Sequence, residues 1–111
     1  MDNTTQAVLL RIFVKEEDRS GERPLYVEIV EEARTHGLAG ATVLRGVVGY
    51  GASNDARTPQ PAELSSEVPM VIEIVDWEDR IEPFREKLGK MMERGLVTME
   101  KVNVTWYQSS S

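Results

Sequence analysis

Residues 37–51, GLAGATVLRGVVGYG, bring several glycines together with one hydroxyl and one guanidinium. Glycines where a strand leaves a sheet let backbone N–H groups approach a ligand closely, and Thr42 and Arg45 add a hydroxyl and a cation nearby. The chemistry in outline is anion binding. Gly49, Gly51 and Ser53 are the donors at this turn, and Tyr50 could stack on a base or plug a boundary between chains. Lys101 is a further candidate cation, with Arg19, Lys15 and Arg57 weaker ones. Each has a plainer alternative: the glycines a strand bend, Arg45 an ion pair, Lys101 a solvated surface.

The rest of the composition removes other chemistries. With no Cys and a single His in 111 residues, disulfide frameworks, thiol catalysis and zinc fingers are excluded, and no metal site is expected. Carboxylates are plentiful, yet no nucleophile and base are paired, so no catalytic residue is assigned and the chain is not read as an enzyme. A formal net charge of -6 argues against a nucleic-acid partner, whose binding rests on neutralising many phosphates at once. It does not forbid one phosphate-bearing ligand in a cationic cleft. No apolar run reaches the length of a membrane span, and residues 1–6 do not resemble a signal peptide, so a cytoplasmic location is expected.

The elements that must hold these residues follow from periodicity. Residues 7–14 form an apolar run of β-formers ended by a charged stretch and the turn signal Ser20-Gly21, which predicts a strand. From Pro24 the apolar positions 25, 26, 29, 30 and 33 have helical spacing; Pro24 suits the first turn and Gly37 the left-handed stop. A second strand over about 41–48, a polar segment over 52–67 and a third strand over 69–75 come next. Asp76 or Asp79 can cap a second helix, with Glu82 spaced as the partner of Asp79. Ile81, Phe84, Leu88, Met91 and Met92 form its apolar stripe, Pro83 should bend or delay it, and Gly95 ends it. A last strand covers about 97–107, and 108–111 should fray.

The order β-α-β-β-α-β predicts one α+β domain over 1–111, a ferredoxin-like sandwich. Its antiparallel sheet has strand order 4-1-3-2, counting the four predicted strands, with both helices on one face. The other face is then uncovered, yet both alternating sets of the central strands are apolar: Leu10, Ile12 and Val14 against Leu9 and Phe13, and Ile72 and Ile74 against Val71 and Val75. Copies of the same chain in a closed ring are the expected cover. Arg11 and Glu73 fall on the adjacent central strands of that interface face, close enough to pair.

Taken whole, the chain resembles the PII signalling proteins. Gly37, Gly40, Thr42, Val43, Gly49, Tyr50 and Gly51 match the family's strand and loop base, with one extra residue before the Gly-Tyr-Gly turn. It is more similar still to the PII-like branch known as domain of unknown function 190. That likeness rests on the loop Glu17-Asp18-Arg19, Gly21, Pro24-Leu25-Tyr26, residues 37–46 and residues 71–76. The resemblance implies a homotrimer with its sheets turned inward and no obligatory cofactor. It also implies an adenine nucleotide (ATP, ADP or AMP) in clefts between subunits, with Lys101 in the position of a nucleotide-binding lysine. The 52–67 loop would be a mobile segment that docks onto a regulated partner, a membrane transporter or an enzyme. The family's second phosphate loop is altered, because Thr98 and Glu100 replace its glycines. Two alternatives are a metal-responsive ring protein like the copper-tolerance relatives of PII and a small phosphohydrolase on the same fold.

Overall fold

In the computed structural model of the chain the described residues are 4–47 and 68–107. Gly49, Tyr50, Gly51 and Ser53, the predicted loop 52–67 and the tail 108–111 lie outside them. The elements in order are β1 (Thr4–Lys15), β2 (Arg19–Ser20), β3 (Arg23–Pro24), α1 (Leu25–Thr35), β4 (Thr42–Arg45), β5 (Pro69–Asp76), α2 (Glu78–Met91) and β6 (Leu96–Thr105).

The main sheet is four-stranded, ordered β4-β5-β1-β6, and every neighbouring pair is antiparallel. This is the predicted 4-1-3-2 order and the ferredoxin-like α+β architecture. The centre of the sheet is β1 against β5, with Leu10 opposite Ile74, Arg11 opposite Glu73 and Ile12 opposite Ile72. Successive side chains of a strand point to opposite faces. The set Val8, Leu10, Ile12, Val14, Met70, Ile72 and Ile74 is therefore buried on one face, under Leu25, Ile29 and Ala33 of α1 and Ile81, Phe84 and Leu88 of α2. Burying a side chain of this size contributes roughly 1.5–3 kcal/mol.

Helix α1 forms as its residues dictate. Pro24 stands at the N-cap with φ −59°, and Gly37 adopts φ 71° just past the end. There the Leu38 N–H donates to the Ala33 carbonyl (3.1 Å) and the Gly37 N–H to that of Arg34 (2.9 Å), the two bonds of a Schellman stop.

Helix α2 departs from the sequence expectation at both ends. Trp77, rather than Asp79, is the N-cap residue, and no side chain caps the helix. Asp79 sits inside the first turn, so the capping spacing with Glu82 is not used. Asp76 instead accepts the Trp77 N–H at 2.7 Å and the Ala39 N–H at 2.9 Å, fastening the α1–β4 connection to the end of β5. The helix does not start late: it runs from Glu78, and Pro83 lies inside it on the exposed side. Water can serve the carbonyl that a helical N–H would otherwise have met.

The helix ends at Met91, and Gly95, at φ 129°, turns the chain into β6 rather than ending the helix. A Cβ on Gly95 would lie 2.6 Å from Met92 Cε and 2.8 Å from the Phe13 carbonyl oxygen. The short β2–β3 hairpin, turning at Gly21 with φ 63°, had been legible only as a turn signal.

Candidate functional site

Four chain segments meet at one end of the sheet. Strand β1 finishes there at Lys15, opposite Pro69 at the start of β5; β4 finishes at Arg45, opposite Met70; and β6 begins at Leu96, opposite Phe13. The segment carrying the glycine turn leaves from this end, after Gly46. The close approach there requires a glycine: the Gly46 N–H donates to the Pro69 carbonyl at 2.7 Å, and a Cβ would lie 2.5 Å from Pro69 Cγ.

The cations at this end are arranged as follows. Arg45 grips Glu16 with both arms of its fork, Nε to Oε2 at 3.0 Å and Nη2 to Oε1 at 3.4 Å. That hydrogen bond holds the Glu16 carboxyl below its ordinary value and raises the Arg45 guanidinium. The Glu16 N–H in turn donates to the Val68 carbonyl at 2.8 Å, so both sides of the loop base are tied to the end of β1. Lys15 is buried, with Nζ 3.5 Å from Glu17 Oε1. Its backbone N–H donates to Asp18 Oδ2 at 2.9 Å, and the Asp18 carbonyl accepts the Leu25 N–H at 2.8 Å, joining the end of β1 to the start of α1. Arg19 is exposed on the hairpin, its Nη1 3.5 Å from the Glu22 carbonyl.

Thr42 and Arg45 do not share a face. Thr42 is opposite Glu73 on the face without helices, whereas Arg45 is opposite Met70, whose side chain is in the core. Lys101 is also remote from Arg45 and Gly46 within one chain. It is exposed and opposite Val8, five residues along β1 from the Phe13–Leu96 rung, or about 16 Å at the usual strand rise. The structure thus brings Arg45 and Gly46 to one place, sets Thr42 on the opposite face and leaves Lys101 toward the far end.

On the face without helices, Arg11 and Glu73 pair at 2.9 Å, Nε to Oε2, as their places on adjacent strands implied. Arg11 Nη1 also meets Glu100 Oε1 at 2.9 Å. Hydrogen bonding to Glu73 raises the Arg11 guanidinium, against the opposing effect of desolvation. Half-buried Leu9, Phe13, Val71 and Val75 lie on the same face, and Leu44 and Leu96 are exposed at its margins, at 48% and 52%.

Sequence reasoning missed Glu16 and Glu100 as the anions that hold the two arginines. Glu16 sits in a charged run that resembles any solvated loop, and the Glu100 pairing depends on the β1–β6 register. Among the described residues no group of three or more His, Cys, Asp or Glu could hold a metal ion, and no helix is long and apolar enough to cross a membrane.

This fold is that of the PII-like proteins. CPII, a nitrogen regulatory PII-like protein from Thiomonas intermedia K12, in its structure bound to ADP, AMP and bicarbonate, superposes with a TM-score of 0.71 at 14% identity, covering 96% of this chain and 94% of that one. The chain belongs to the DUF190 family, described as "Uncharacterized ACR, COG1993", whose family model matches residues 7–104. It is 40% identical over 98 residues to a UPF0166 protein of Aquifex aeolicus (strain VF5), covering 88% of this chain and 92% of that protein. It is 31% identical over 100 residues to a UPF0166 protein of Methanocaldococcus jannaschii, covering 89% and 92%.

Proposed function

We infer that the protein is a cytoplasmic PII-like regulator that closes into a homotrimer through its uncovered sheet face and binds an adenine nucleotide at the seams. The observation that carries this reading is the character of that face. Apolar side chains surround an ion cluster whose arginine is already engaged by Glu73 and Glu100 of its own chain, so a neighbour need supply no further anion for it. The ADP and AMP bound by CPII, on the same fold, support the choice of ligand.

In this reading Gly49, Tyr50, Gly51 and Ser53 belong to the loop base that meets the nucleotide, with Thr42 opening onto the seam. Arg45 stiffens that base through Glu16 and is a second-choice phosphate ligand. Lys101, five residues along β1 from the Phe13–Leu96 rung, or about 16 Å at the usual strand rise, serves the turn of a neighbour. Arg19 is an outlying cation at the same end. Occupancy biases the conformation of the 52–67 segment and hence affinity for a protein partner, a membrane transporter or an enzyme.

Native mass spectrometry, together with calorimetry using ATP, ADP and AMP, tests the reading. Three subunits with nucleotide binding that weakens in Lys101→Ala are expected. A single-chain particle at micromolar concentration, or no response to any of the three nucleotides, overturns it.

A further inference from the structure

A groove of about 240 Å³ lies between the second half of α1 and the connection that leads into β4, lined by Val30, Ala33, Arg34, Leu38 and Ala41 among others. Arg34 is the one charged residue on its described walls. Most described arginines are held by carboxylates: Arg11 by Glu73, Arg23 by Glu28, Arg45 by Glu16, Arg80 by Asp76 and Arg85 by Glu82. Arg19, Arg34 and Arg94 have no carboxylate partner among the described residues. Arg19 and Arg94 share their surroundings with Glu17, Asp18 and Glu93, so no excess of positive charge gathers there. The groove beside Arg34 has no carboxylate residue on its described walls, and its charge is that of the guanidinium alone.

The walls are fixed before anything binds. The Leu38 N–H donates to the Ala33 carbonyl at 3.1 Å, the Ala39 N–H donates to Asp76 Oδ2 at 2.9 Å, and Arg80 donates to the Gly37 carbonyl. The connection is thereby tied to α1, β5 and α2 at once, and an occupant need not meet the cost of ordering it. Its α1 wall lies on the helix side of the sheet, opposite the face assigned to subunit contact, and one chain supplies all the described lining.

We propose that this groove binds a small aliphatic monocarboxylate, its carboxylate on the Arg34 fork and its tail over Val30, Leu38 and Ala41. A guanidinium matches a carboxylate through two parallel N–H···O bonds, and the single charges cancel. A phosphoryl group carries more negative charge near neutrality than one fork neutralises. A second carboxylate on the ligand would meet apolar wall, and a charge taken from water without a partner is costly. The volume lies below the roughly 300–1,000 Å³ of sites for drug-sized ligands, which suits an acid of a few carbons.

NMR titration of the isotope-labelled full chain with butyrate, butyramide, succinate and inorganic phosphate, at constant ionic strength, tests the assignment. Butyrate is expected to give saturable shifts at the Ala39, Gly40 and Ala41 amides and to bind more tightly than the other three. Arg34→Ala should weaken butyrate about tenfold or more, the loss of a charge-assisted hydrogen bond. Arg34→Lys, which keeps the charge and loses the fork, should fall between the two. Lys90→Ala, on α2 and outside the groove, should leave butyrate unchanged. Arg34 is exposed, so unfolding midpoints close to that of the parent chain are expected for both of its variants and separate a lost contact from a lost fold. Butyrate shifts that do not saturate, butyramide binding as tightly as butyrate, or equal losses in Arg34→Ala and Lys90→Ala overturn the proposal. Succinate or phosphate binding as tightly as butyrate also overturns it, since either shows a site for anions in general.

Discussion

The two faces of the sheet are built from alternate residues of the same strands, yet they solve different problems. On the helix side Leu10, Ile12, Val14, Ile72 and Ile74 are at most 1% exposed, an aliphatic layer closed within one chain. On the other side the neighbouring residues Leu9, Phe13, Val71 and Val75 stay half-buried around an arginine held by two carboxylates. The contrast shows that a strand apolar on both faces does not imply a core on both faces. One set stabilises the fold of the chain, and the other is a surface whose polar centre is satisfied internally. Such a surface can be covered without stranding a charge.

Adjacent positions on β5 give the sharpest test. Ile72→Ala empties a wholly buried site and is expected to cost about 2–5 kcal/mol in denaturant unfolding. Val71→Ala, one residue away on the other face, should cost about 1 kcal/mol or less in the single chain while weakening subunit association, read by light scattering. Equal losses of chain stability from the two would erase the distinction between the faces.

Gly95→Ala follows, at about 1–3 kcal/mol, because a side chain there is strained by φ 129° and meets the Phe13 carbonyl, disturbing the start of β6. Asp76→Ala strips the acceptor from the Ala39 and Trp77 N–H groups and should cost about 1–3 kcal/mol in the same measurement. That would show how firmly the α1–β4 connection is positioned from the covered side.

The smallest effect is expected at Glu16. Its carboxyl is lowered in the folded chain by the hydrogen bond from Arg45, so its contribution is present above the unfolded carboxylate value and is lost as pH falls through the folded one. Glu16→Gln should lower the melting temperature slightly near neutrality and flatten the acid side of the profile, so that the two proteins converge as pH falls. A large change at pH 7 would mean that the pair does more than brace the loop base.

The fold was largely legible because periodicity and punctuation agreed. Apolar runs of β-formers in 7–14 and 69–75, helical spacing from 25 to 33 and from 81 to 88, and Gly37 each point to an element that formed. The start of α2 was less legible. Asp79 and Glu82 have capping spacing, but Asp76, buried at the end of β5, places the helix start at Trp77, and local spacing cannot register that tertiary constraint. Of the candidate site, Arg11 and Glu73 could be paired from topology alone. The separation of Thr42 from Arg45 follows from strand geometry, since residues three apart point to opposite faces, although their nearness in the chain favours grouping them.

Residue order and type were enough to settle the element types, the strand order and the presence of two apolar faces, because these depend on spacing along the chain. The remaining through-space partners were decided only on folding: Glu100 on Arg11, and Glu16 on Arg45. These contacts join segments distant in the chain. A shift of a single residue in strand pairing would turn each side chain to the other face and exchange its partners, while leaving the composition of every segment untouched.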